Sequence, residues 1–254
     1  MMFQKSIFAN ALVGLLVVMP LLDHQSLSAA QTVDNAIYAD LLSKYVINGK
    51  VDYNGMKSEE GVLDTYLKHL SSIAPDQLSR DERFAFYINA YNAWTLKLIL
   101  SHYPGINSIK ETGGLLSSPW KKKIAHIDGR VITLDHIEHD ILRPQFKDPR
   151  VHFAINCAAR SCPPLADFAF SGAELDRQLD LQTRTFINTP AGNYLEGDTL
   201  WVSRIFKWFG EDFGNDILTF FTTYAEGDLK RALNSKKDRI TVKYLDYDWS
   251  LNKK

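Results

Sequence analysis

The chain has 254 residues and a formal net charge of -1, with 45% hydrophobic, 23% charged and 12% aromatic residues. This is the composition of a globular protein with ample apolar material for a core, and its near-zero charge gives no global pull toward nucleic acid or anionic membranes. Its two cysteines exclude a disulfide-built scaffold, so packing must carry stability.

Lys5, the apolar stretch Ile7 to Leu22 and the small residues Ser28-Ala29-Ala30 form the n, h and c pattern of a secretory signal peptide over residues 1–30. Asn10, Gly14 and Pro20 interrupt the stretch, which is shorter than the ~20 residues that span a bilayer comfortably. The expected product is a periplasmic or secreted single domain, residues 31–254, without stable membrane insertion after cleavage.

The spacing then predicts a helix over Asn35 to Val46, stopped by Asn48-Gly49, a short extended piece at Val51-Asp52-Tyr53, and a second helix over Ser58 to Ile73. Ser79 and Glu82 form a capping box for a long helix running to about His102, apolar on nearly every face and therefore central. Asn89 and Asn92 share a face of it. They either satisfy neighbouring backbone or line a polar pocket. Trp120 follows Gly113-Gly114 and Ser117-Ser118-Pro119 on an expected loop that can wall a cleft. Asp128-Gly129 predicts a hairpin turn between Ile124–His126 and Val131-Ile132. Thr133 caps a helix over Leu134 to Leu142 that Pro144 ends, and a strand over Val151 to Asn156 follows.

Downstream, Ser171 and Glu174 read as a second capping box for a helix toward Thr189-Pro190, and Glu196-Gly197-Asp198 as a second hairpin turn. Short helices at Phe206, Ile217 to Tyr224 and Leu229 to Leu233, and a strand Ile240 to Leu245, close the chain. Trp201, Trp208, Phe209, Phe213, Phe220, Phe221 and Tyr224 read as core. The class is α+β, a central long helix on a small antiparallel or mixed sheet.

The run His152-Phe153-Ala154-Ile155-Asn156-Cys157-Ala158-Ala159-Arg160-Ser161-Cys162-Pro163-Pro164 holds both cysteines. One reading makes Cys157 a nucleophile with His152 or His139 as base, the Ala158 and Ala159 amides as oxyanion donors, and Glu138 as a further candidate catalytic group. On a regular strand, residues five apart point to opposite faces, so pairing His152 with Cys157 needs a bend. Adjacent helical residues diverge by about 100 degrees, so Glu138 does not itself orient His139. A second reading is a structural Cys157–Cys162 disulfide, and a third a redox dithiol. Asn89, Asn92, Arg160, Ser161 and Trp120 are the candidate ligand-binding residues.

His136 and His139 with Glu138, His152 and the thiols match no specific zinc pattern, and no phosphate loop, serine elbow or dinucleotide fingerprint is present. No metal or cofactor is expected. The expected partner is a peptide or small-molecule ligand rather than nucleic acid.

Tyr87-Ile88-Asn89-Ala90-Tyr91-Asn92-Ala93, Asp135-His136-Ile137-Glu138-His139-Asp140-Ile141-Leu142-Arg143 and the His152 to Pro164 run together resemble the domain of unknown function 547 family. Val51-Asp52-Tyr53, Ser203 to Phe209 and Asp212-Phe213 look like its flanking elements. That resemblance implies no established activity. More distantly, a long helix followed by a hairpin and a segment opening with histidine is similar to transglutaminase-like and papain-like cysteine hydrolases. Their nucleophile opens the helix, where this chain has no cysteine, so Cys157 would have to supply the thiol. The function reading is a thiol-dependent hydrolase or acyl transferase on amide or peptide bonds, and the alternative is a non-catalytic periplasmic peptide- or envelope-binding domain.

Overall fold

The structure is a computed structural model that describes residues 1–2, 31–114, 117–236 and 239–254. The signal-peptide segment from residue 3 to 30 lies outside the described residues.

Helix α1, Ala36–Tyr45, buries Tyr38, Leu41, Leu42 and Tyr45. Asn48 and Gly49, both at positive φ, turn the chain between the short strands β1, Val46–Ile47, and β2, Lys50–Val51. Tyr53 is not extended. The Asp52 carboxylate accepts the Gly55 N–H at 2.9 Å and opens helix α2, Tyr53–Ser58, before α3, Glu60–Ser71.

The long helix α4, Arg80–Leu100, is buried at every position from Phe84 to Leu96. Ser79 caps it by accepting the Glu82 N–H at 3.3 Å, but the predicted capping box closes only halfway. The Glu82 carboxylate is 5% exposed and reaches across the molecule to the Val33 N–H (2.8 Å) and Gly172 N–H (2.7 Å). Two distant backbone donors outcompeted the local one.

Strands β3, Lys123–Ile127, and β4, Arg130–Thr133, pair through Asp128 and Gly129 at φ 49 and 69, the paired positive φ that a two-residue hairpin turn demands. Thr133 accepts the His136 N–H at 2.9 Å and starts helix α5, Leu134–His136. The chain then runs on in wide π-type turns over Ile137–Phe146, with Pro144 inside and Lys147 at φ 54 as the stop. Pro144 does not end the helix, because wider turns relieve its ring of the clash with the preceding turn.

The predicted strand Val151 to Asn156 is instead helix α6, Val151–Ala154, followed by extended residues. A short apolar run cannot by itself distinguish strand from buried helix. The upstream Asp148-Pro149 decides it: the Asp148 carboxylate accepts the Arg150 N–H at 3.0 Å, and Pro149 presets a helical φ. The Ser171 box also fails, since the Ser171 N–H donates to Gln178 Oε1 at 3.0 Å and its side chain caps nothing before α7, Leu175–Ile187.

Strands β5, Tyr194–Glu196, and β6, Thr199–Val202, form the second hairpin, and helices α8, Ile205–Trp208, α9, Ile217–Tyr224, and α10, Gly227–Lys236, follow. Strand β7, Thr241–Tyr244, adds in parallel to β6. The class is α+β. Among the described residues the strands form three separate small sheets, and α4 packs on α3, the β3–β4 hairpin and the π-type helix rather than on one sheet.

Two hydrophobic cores result, one around α4 and one joining Phe153, Phe186, Phe206, Phe213 and Phe221 with β6. Helix α6 bridges them, with Val151 and Ala154 in the first and Phe153 in the second. Among the described residues, no helix is long and apolar enough to cross a membrane.

Candidate active site

Residues Ile155, Asn156 and Cys157 leave α6 along the seam between the cores. Asn92 on α4 fixes that exit, donating to the Ala154 carbonyl (2.9 Å) and accepting the Asn156 N–H (2.8 Å). Asn156 in turn donates to the Pro163 carbonyl (2.7 Å) and accepts the Ala158 N–H (2.8 Å), closing the cysteine loop with Ala158 at φ 59. The C-terminal tail zips onto this loop. Asn252 donates to the Ala158 carbonyl, Arg160 to that of Ser250 and Ser161 to that of Asp248, at 2.8 to 3.2 Å. The zipper delivers Tyr247 and Trp249 to the thiols.

A cleft of about 210 Å³ opens there, bordered by Cys157, Cys162, His152, Glu138, Tyr247 and a wall of indole rings. Cys157 Sγ lies 3.0 Å from Cys162 Sγ and 3.2 Å from the Tyr247 hydroxyl, and Cys162 Sγ accepts the Cys157 N–H at 3.0 Å. A disulfide requires about 2.05 Å, so both are thiols here and the predicted bridge is not formed. Hydrogen bonding from Cys162 outweighs burial and, with Tyr247 and the Ala159 N–H, holds Cys157 below the ordinary thiol value. Burial and the neighbouring Cys157 push Cys162 well above it, and burial with both sulfurs pushes the Tyr247 phenol up, so it stays a donor.

His152, 3% exposed, stacks on Phe209 at 4.1 Å between centroids, and its Nε2 lies 2.6 Å from Asp212 Oδ2. Arg143 grips the same carboxylate with Nε at 2.6 Å and Nη2 at 3.0 Å, and also holds Glu211 at 2.7 Å. Burial works to raise the Asp212 carboxyl, but the His152 and Arg143 hydrogen bonds overrule it and hold it far below the usual carboxylate range. With Nε2 engaged, Nδ1 is the ring nitrogen left for proton transfer.

Of the predicted catalytic residues, Cys157, His152, His139 and Glu138 all border the cleft, as does Trp120. His152 and Cys157 share the cleft but are not paired there, since His152 Nε2 goes to Asp212 and the Cys157 sulfur to Cys162 and Tyr247. His139 is exposed and its Nδ1 lies 3.1 Å from Arg143. Glu138 is buried against the Tyr91 hydroxyl rather than beside a histidine, and its charge opposes thiolate at Cys157. The Ala158 amide is bound to Asn156 and the Ala159 amide to the Cys157 sulfur, so neither is a free oxyanion donor.

Asn89 and Asn92 do not border the cleft. Asn89 donates to the Phe170 carbonyl (2.8 Å) and accepts its N–H (2.9 Å), so each amide both donates to and accepts from buried backbone. Arg160 and Ser161 line a separate depression beyond Cys162. Tyr91, Trp208, Asp212, Tyr247 and Trp249 are site residues that periodicity missed. Trp208 is 44% exposed in the cleft wall rather than core. A signal existed in Tyr247-Asp248-Trp249, whose alternation places two rings on one face of an extended tail.

Residues 75–187 match the family described as protein of unknown function, DUF547. The match contains all three motif runs, while Val51-Asp52-Tyr53, Ser203 to Phe209 and Asp212-Phe213 lie outside it. No curated protein and no solved structure matches the chain.

Proposed function

We propose that the chain is a thiol-dependent acyl-transfer enzyme or hydrolase of amide bonds, acting after export. Export is supported by the n, h and c pattern of residues 1–30. The observation that carries the chemistry is one cleft holding both a thiol lowered by donors, Cys157, and an imidazole fixed by a carboxylate, His152 on Asp212. Cys157 thiolate attacks the amide carbon, forming a C–S bond as the carbonyl π pair moves to oxygen. The Tyr247 hydroxyl, 3.2 Å from the sulfur, donates to that oxyanion. Collapse breaks the C–N bond, and His152 returns to the departing nitrogen the proton released by Cys157. Water then attacks the thioester, giving its proton to His152, and the acid leaves as the thiol is regenerated.

The test is acyl-thioester trapping by mass spectrometry with amide and ester libraries, comparing the chain with Cys157→Ser and His152→Gln. An adduct on Cys157, absent in Cys157→Ser, supports the reading. No adduct together with ordinary thiol reactivity of Cys157 would return the chain to the alternative, a non-catalytic peptide- or envelope-binding domain.

A further inference from the structure

The cleft's rings form a connected wall. Trp208 lies 4.8 Å from Tyr247 and 5.7 Å from Trp249, Tyr247 lies 4.5 Å from Trp249, and Trp120 lies 5.7 Å from Trp249. Among the described residues, the carboxyl groups bordering the same cleft are Asp135 and Glu138, and no lysine or arginine borders it. Glu138 is only 8% exposed, and the partner it shares is the Tyr91 hydroxyl, a neutral group. A buried carboxylate without a countercharge is costly, and a ligand cation entering the cleft removes that cost. Among the described residues, the recorded charged neighbour of Asp135 is His139 Nε2, at 3.8 Å. The wall already attracts a cation at its edge, since Lys110 Nζ sits 3.9 Å from the Trp249 ring centroid.

We propose that the cleft selects ligands bearing a primary ammonium group, seated between the Glu138 and Asp135 carboxylates and the faces of the tryptophan wall. Calling that ligand an amide substrate rests on the reading of Cys157 as nucleophile. Binding itself does not. Neutral sugars also stack on indoles, but they leave the buried carboxylate without a countercharge.

The experiment uses the full chain with Cys157→Ser, so that binding is read without turnover, by tryptophan fluorescence and calorimetry. The probes are Nα-acetyl-lysine methylamide, its neutral norleucine and anionic glutamate counterparts, and N-acetylglucosamine disaccharide. The lysine probe is expected to bind about tenfold tighter than norleucine, with glutamate weakest. Glu138→Gln should erase that preference, and Trp249→Ala should weaken lysine and norleucine together. Asp135→Asn, at a half-exposed position, is the second variant should Glu138→Gln fail to fold, and it should narrow the preference. Equal binding of lysine and norleucine probes, or tighter binding of the disaccharide, overturns the proposal. Amide cleavage without charge preference would overturn this inference and leave the hydrolase reading standing. A lysine preference in a chain that forms no thioester would do the reverse.

Discussion

At Cys157 three donors converge on one sulfur, Cys162, the Tyr247 hydroxyl and the Ala159 N–H, and together they overcome the burial that would otherwise disfavour thiolate. Iodoacetamide is therefore expected to label Cys157 with a pH midpoint below the ~8.5 of a free cysteine, leaving Cys162 unmodified, as peptide mass mapping across pH will read. Tyr247→Phe removes one donor and should move that midpoint upward. A midpoint unchanged by Tyr247→Phe would show that the hydroxyl does not act on the thiolate. The sequence marked Cys157 and His152 but not Tyr247, because ninety positions of chain separate the phenol from the sulfur it touches.

At the level of elements, α4 is a backbone clamp as much as a core helix. Its two asparagines replace sheet-like hydrogen bonds for the segments at Phe170 and at Ala154–Asn156. Asn92→Leu should cost about 1 to 3 kcal/mol in urea unfolding by stranding buried backbone groups, and should loosen the cysteine loop as well. Asn89→Leu should cost similarly while leaving Cys157 labelling unchanged, since its clamp lies elsewhere. Gly172→Ala addresses the Glu82 bridge: a Cβ there would fall 2.6 Å from both the Glu82 amide and carboxylate, so the cap must shift and thermal stability should fall. The sequence offered Glu82 as the second half of a capping box. Only packing could reveal that two distant amides, at Val33 and Gly172, take it instead.

Across the whole molecule, the cleft exists because two cores meet at α6. Phe153 contributes its ring to the second core, 5.3 to 5.9 Å from Phe186, Phe206, Phe213 and Phe220. Phe153→Ala should cost about 3 to 5 kcal/mol in denaturant unfolding by opening a cavity there. Arg143, His152 and Asp212 stitch the π-type helix and α6 to the chain after α8, and this sets an acid limb to stability. The Asp212 carboxyl sits lower in the folded chain than its unfolded ~3.9, so its stabilisation is present above about pH 4 and is lost as pH falls further. Melting followed from pH 7 to pH 3 should show a shallower acid decline in Asp212→Asn than in the parent chain. An identical decline would remove Asp212 from that role.

The hairpin turn at Asp128-Gly129, the Ser79 and Thr133 caps and the burial of α4 were all legible in the sequence, because each is dictated by residues within a few positions of one another. Tertiary structure alone decided that Asp212 holds His152 and that the C-terminal tail carries Tyr247 to the thiols and Trp249 into the cleft wall. Those contacts join positions 60 to 90 residues apart, where local periodicity carries no information and close packing selects the partner.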